Sequence, residues 1–305
     1  MTAHHTGDLH QLANADIVVG ADGSAGADLA VRWAAETAAQ RGRRLLIVFG
    51  LDLAATRSVL GTYDVMVPSV TEKMREHGAD VLDKAHLLAL RFAPDLTVKT
   101  LLSESNPAQL LISLSEKAHM VALGATSGVG ALAHLGSTLM AVTSHGHGSI
   151  VIVRGTGAEQ AGEQRPVVLG ADASQVGEAA IAAAFAEAAE RNAPLITVHA
   201  WSDLSFGAYA GTNYPDLPIT ALEQAEHALL AERLAGWQTK YPNVDLTRKV
   251  YFDGPRTQLQ EWSKSAQLVV VGSRGRGGFS GLLLGSTSNW LVQHAHCPVM
   301  VVHPE

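Results

Sequence analysis

The sequence has little of several things that would commit it to a class. One residue in 305 is cysteine, Cys297, so no internal disulfide can form, and a reducing, cytoplasmic setting is expected. Charged residues make up only 17%, against roughly 25% in an ordinary soluble chain. Lys and Arg number 22 and Asp and Glu 29, a formal charge of −7 that divides at Val153 into −3 and −4. Neither half is basic, which argues against a grip on nucleic-acid backbone. The opening residues (MTAHHTGDLHQLANAD) have no basic start followed by an apolar core, so no secretory signal is expected. Residues 118–153 contain no Asp, Glu, Lys or Arg. That is longer than the roughly 20 residues that cross a bilayer. However, Gly124, Gly128, Gly130, Gly136, Gly146 and Gly148 interrupt it. The stretch reads as buried strand, loop and helix, with no membrane span.

What the chain does have is a repeat. IVVGADGS (17–24) lies over VVLGADAS (167–174), and AAQRGRRLLIVFG (38–50) over AAERNAPLITVHA (188–200), at an offset of 150. NPAQLLISLSEKAHMVALGA (106–125) lies over GPRTQLQEWSKSAQLVVVGS (254–273) at 148, and LGSTLMAVTSHGHGSIVIV (135–153) over LGSTSNWLVQHAHCPVMVV (284–302) at 149. A period this long, seen twice, predicts two copies of one domain. The expected division is a flexible tail over 1–15, domains over 16–153 and 167–305, and a polar, Gly-containing linker over 154–166.

Each copy alternates short apolar, β-branched runs with helical segments. Ser24 and Ser174 stand where a helix N-cap belongs, and Pro107 and Pro255 where a helix begins. A long loop is expected after the second strand, then helices near 70–92 and 219–239. The order βαβαβαβαβ predicts an α/β fold: two tandem doubly wound, Rossmann-like domains, each with a parallel five-stranded sheet. Ligands of such sheets bind beyond the strand C-termini, where the strand order reverses.

The sharpest local feature is in the second copy. Gly272-Ser-Arg-Gly275 follows a strand, and after nine residues comes Gly285-Ser286-Thr287-Ser288. Glycines there let backbone amides approach a phosphate, and a helix opening at Gly285 favours an anion. Arg274 and Arg276 add forked donors suited to phosphate oxygens. Taken alone, the same residues could serve only a tight turn and a solvated loop.

This G-x2-G-x9-G-[ST] pattern, after VVVG and before the terminal HAHCPVMVV, resembles the ATP-binding class of the universal stress protein family. The opening strands IVVGADGS and VVLGADAS share that resemblance, which covers nearly the whole chain. It implies an adenine nucleotide alpha hydrolase-like fold and ATP, with or without Mg²⁺, as ligand. It implies that Gly20, Ala21, Asp22 and Gly170, Ala171, Asp172 meet the adenosine moiety, with Gly50 and Ala200 at the end of strand two. Gly272, Gly275, Gly285, Ser286 and Thr287, with Ser288 beside them, would hold ribose and phosphates. Asp22 and Asp172 could otherwise simply cap a turn.

The first copy departs from the pattern. Gly124-Ala-Thr-Ser127-Gly128 has Ser where the second glycine belongs, the loop to Gly136 is one residue shorter, and it holds no arginine. Gly136, Ser137 and Thr138 are retained, and Gly128 could replace the missing glycine. Weaker nucleotide binding in the first domain is the expectation. Gly128-Val-Gly130-Ala-Leu-Ala133 matches a relaxed dinucleotide fingerprint but lacks the acidic residue about 20 positions on that the motif needs. No G-x-x-x-x-G-K-[ST] occurs, and no nucleophile elbow marks a Ser–His–Asp set. His294-Ala-His296-Cys297 reads as a helix end and not as a metal site.

The favoured reading is a cytoplasmic, ATP-binding regulator in stress response, with an unidentified protein partner. A homodimer through the last strands, IVIV and VMVV, is expected; the rival reading is an interaction module with vestigial pockets in which these strands mediate domain pairing or dimerisation, and slow ATP hydrolysis is a third reading.

Overall fold

The computed structural model describes residues 15–60, 67–125, 136–154, 165–172, 177–202, 219–275 and 284–304. The chain divides into two compact units, Met1–Gly155 and Thr156–Glu305. In the first, strands β1 (Ile17–Gly20), β2 (Leu45–Gly50), β3 (Val98–Ser103), β4 (Met120–Gly124) and β5 (Ser149–Val153) alternate with helices. The helices are α1 (Ala25–Gln40), α2 (Leu53–Leu60), α3 (Val67–Phe92), α4 (Pro107–Ser115) and α5 (Ser137–His145). The strands run in the order β3-β2-β1-β4-β5, and their pairings are parallel. The order reverses at β1, between β2 and β4, so the crevice past Gly20 and Gly124 is where a ligand of such a sheet is expected.

The second unit repeats the plan with β6 (Val167–Ala171), β7 (Leu195–Ser202), β8 (Leu246–Asp253), β9 (Leu268–Gly272) and β10 (Val299–Val302), in the order β10-β9-β6-β7-β8. Again the pairings are parallel. Its helices are α6 (Glu178–Glu190), α7 (Ile219–Lys240), α8 (Pro255–Trp262) and α9 (Ser286–His294).

Small residues let the helices lie close to the sheets. Helix α1 buries Ala27, Ala30, Val31, Ala34, Ala35 and Ala38 on one stripe. Its start is fixed by Ser24, whose hydroxyl accepts from the Ala27 amide at 3.1 Å. The following turn holds Gly42 at φ 59°, and the aligned position in the second unit is Asn192 at φ 48°. Glycine and asparagine are the residues that tolerate this left-handed cap, so both copies keep one turn with different side chains.

The charge-free segment is β4, α5 and β5 with a connection between them. Among the described residues, no helix is long and apolar enough to cross a membrane. One departure from expectation lies in the long loop after β2, which contains α2. Asp52 adopts φ 50°, and its backbone carbonyl accepts from the Thr56 amide at 3.2 Å, which starts this extra helix. Aromatic packing is concentrated in the second unit, where Phe185 stacks with Trp237 and Tyr241 at 6.3 and 5.8 Å. Helices α6 and α7 are joined there.

Cys297 is 2% exposed and its thiol donates to the Pro298 carbonyl at 3.4 Å. Burial pushes its pKa up to about 12, because the thiolate is the form that loses hydration. A maleimide at pH 8 is therefore expected to leave the folded chain unmodified and to add once after unfolding in urea. Labelling of the native protein, read by intact mass, would refute this.

Candidate functional site

The carboxyl ends of β1, β2 and β4 open on a cavity of about 270 Å³. That lies just under the roughly 300–1,000 Å³ of small-molecule sites. It is lined by Gly20, Ala21 and Asp22 after β1, by Gly50 of β2 with Pro107 of α4, by Gly124 of β4, and by Gly136, Ser137 and Thr138 at the start of α5. The eight site residues expected of the first copy within the described stretches thus surround one space. Gly128, the remaining one, lies outside the described residues, as do Thr126 and Ser127. Val48, Leu110, Leu111 and Leu123 supply an apolar lining.

Local geometry explains these positions. One oxygen of Asp22 accepts from the Ser24 amide at 2.9 Å, so the carboxylate caps its turn and also lines the cavity. Asn106 holds the wall at Pro107. Its Oδ1 accepts from the Ala108 and Gln109 amides at 3.0 and 3.3 Å, and its Nδ2 donates to Asp52 at 2.7 Å. At Gly124 a Cβ would overlap the Gly26 carbonyl, so only glycine allows β4 to meet the start of α1 this closely. Gly136 caps α5 with no side-chain hydrogen bond to its first amides, and a Cβ there would meet nothing within 4 Å.

Arg154 also lines this cavity, from the residue after β5. The sequence reading places it at the start of the linker. Burial pushes its guanidinium below its ordinary pKa, because the charged form loses hydration. The available signal was its position: it is the first charge after the uncharged stretch, directly behind a strand beside the glycine loop.

In the second unit, Gly170 and Ala171 end β6, and Ala200 lies in β7 opposite Tyr251 of β8. Asp172 stands against the glycine loop, with Oδ2 only 2.9 Å from where a Gly275 Cβ would sit. The loop's two ends are joined: the Gly285 amide donates to the Ser273 carbonyl at 2.7 Å, and the Ser288 hydroxyl to the Gly272 carbonyl at 2.6 Å. Ser288 is buried and ties the loop to the strand, while Ser286 and Thr287 open α9 behind Gly285. Arg274 is exposed, and Arg276 lies outside the described residues.

Behind the Ala171 turn is a pair that sequence reasoning missed. His199 is fully buried, with Nδ1 2.8 Å from the Ala171 carbonyl and Nε2 2.8 Å from a Glu226 carboxylate oxygen on α7. A carbonyl only accepts, so Nδ1 carries a proton and donates. His294 is engaged at its helix end, stacked on Trp290 at 3.7 Å and with Nδ1 2.9 Å from the Trp290 carbonyl.

A doubly wound parallel sheet with a glycine-lined cavity at its switch point defines a Rossmann-like α/β protein. Comparison with known proteins narrows this. The model of the Universal stress protein family matches residues 14–154 and again 164–303, and the chain belongs to that family. It is 39% identical over 292 residues to a universal stress protein of Mycolicibacterium smegmatis, covering 94% of this chain and 97% of that protein. It is 38% identical over 292 residues to universal stress protein Rv2623 of Mycobacterium tuberculosis, covering 93% and 95%. The fold resembles the crystal structure of a universal stress protein from Archaeoglobus fulgidus, with TM-score 0.62, 17% identity and coverage of 94% and 98%.

Proposed function

We propose that this chain is a cytoplasmic, ATP-binding universal stress protein in which nucleotide occupancy sets the response to an unidentified protein partner. The observation that carries the reading is the cavity at the switch point, with its Asp22 turn, its apolar side and the open N-terminus of α5 around one space. The donor set fits an adenine nucleotide. Val48 and Leu111 offer a base an apolar wall. The Asp22 carboxylate accepts from a ribose hydroxyl or an exocyclic amine, and the α5 amides at Gly136 and Ser137 take a phosphate. Mg²⁺ would bring counter-charge for a triphosphate. The second unit keeps both loop glycines and Arg274, which favours it as the tighter site. The reading is one of ligand binding.

Mass spectrometry of small molecules released by heating the purified chain tests this. An adenine nucleotide is expected, and the double variant Gly136→Trp/Gly285→Trp is expected to lose it. Retention by the double variant would overturn the reading.

A further inference from the structure

The first unit has no arginine on its glycine loop, yet the pocket does have one. Val153 is opposite Gly124 in the β4–β5 register, and the Ala125 amide donates to the Val153 carbonyl at 2.9 Å. The next residue, Arg154, therefore leaves the sheet beside the first loop glycine. In the second unit Val302 is opposite Gly272, and the Ser273 amide donates to the Val302 carbonyl at 2.8 Å. The residue that leaves there is His303. The same exit thus carries a permanent cation in one unit and an imidazole in the other, while the second unit has Arg274 on its loop.

Among the described residues, two charged side chains line the first cavity, Asp22 and Arg154. Asp22 belongs to the turn after β1, whereas Arg154, the cap Gly136 and the first α5 residues, Ser137 and Thr138, come from the chain after β4. An arginine and uncapped helix amides both favour an anion, and both line this cavity. The acidic group is bound into its own turn through Ser24. A ligand acidic at one end and neutral at the other matches that division.

We propose that Arg154 is the phosphate-selecting residue of the first unit, pairing with the phosphates of an adenine nucleotide in place of the loop arginine. The inference rests on the cavity's being a nucleotide site. The first unit is then a second working site that reads its ligand's charge from a different element, and its selectivity for phosphorylated over unphosphorylated adenosine belongs to one side chain.

The test uses the full chain, photolabelled with 8-azidoadenosine or 8-azido-ATP, with labelled peptides assigned to each unit by mass spectrometry. In Arg154→Ala, half-saturation of first-unit labelling by the triphosphate is expected to rise roughly ten- to hundredfold, the usual worth of a charged hydrogen bond. Labelling by the nucleoside is expected to change less than about threefold. Arg154→Lys is expected to fall between, since it keeps the charge without the fork. First-unit labelling by the nucleoside reports that the substituted unit is folded, and second-unit labelling in the same sample is the internal standard. If Arg154→Ala weakens both probes equally, or neither, Arg154 does not select phosphate and the inference fails while the nucleotide site stands. If the unsubstituted chain takes up neither probe in its first unit, the nucleotide reading of that cavity fails, and the inference with it.

Discussion

Gly124→Val is expected to destabilise the first unit by about 4 kcal/mol, enough to remove most of the ~5–15 kcal/mol that holds an ordinary domain together. The obstacle is backbone. A Cβ at Gly124 would overlap the Gly26 carbonyl and sit 2.6 Å from the Ala27 amide, both in the first turn of α1. No rotamer moves a peptide group aside, so either α1 lifts from the sheet or β4 leaves it. The other end of the same motif behaves differently, because nothing lies within 4 Å of a Cβ at Gly136. Gly136→Ala is expected to stay within about 0.5 kcal/mol, as an unstrained surface change does. Hydrogen exchange on peptides from β1, β4 and β5 would separate the two, and equal protection in both variants would contradict this account of Gly124.

Glu226→Leu is expected to cost the second unit about 2–3 kcal/mol, because Nε2 of the fully buried His199 would lose its carboxylate partner. Removing both polar groups is expected to be much milder. At the offset of 150 the first copy carries Phe49 where the second has His199, so the fold accepts an aromatic ring at this place. Phe49 meets His77 edge-on there, with ring centroids 6.2 Å apart. The double variant His199→Phe/Glu226→Leu is therefore expected within about 1 kcal/mol of the natural chain, as when both partners of a buried bond become apolar. Urea unfolding of the single and double variants gives the coupling directly. A double variant no more stable than Glu226→Leu would show that the pair is not a unit.

The architecture was legible because strands such as IVVG and LVVVG are short, β-branched and bounded by glycine, and because each is written twice. The duplication acts as an internal control: a feature present at both offsets belongs to the fold. Helix α2 was not legible, since Leu53–Leu60 has no partner pattern and depends on Asp52 taking a left-handed conformation. Candidate site residues next to glycines could be named from the loop spacing together with the family resemblance it carries. Arg154 could not, because its place in the cavity depends on β5 lying beside β4, a relation across the sheet. His199 and Glu226 are 27 residues apart on different elements, and their contact exists only once α7 covers β7.

The buried sulfur has a consequence for how the folded chain meets an oxidant. Peroxides attack thiolates, and Cys297 keeps its proton up to about pH 12 while 2% exposed. A burst of peroxide therefore leaves this residue on the lowest rung of sulfur oxidation. Two folded copies are not expected to be joined through it into a covalent pair, so a reductant is expected to leave any assembly of the folded chain unchanged.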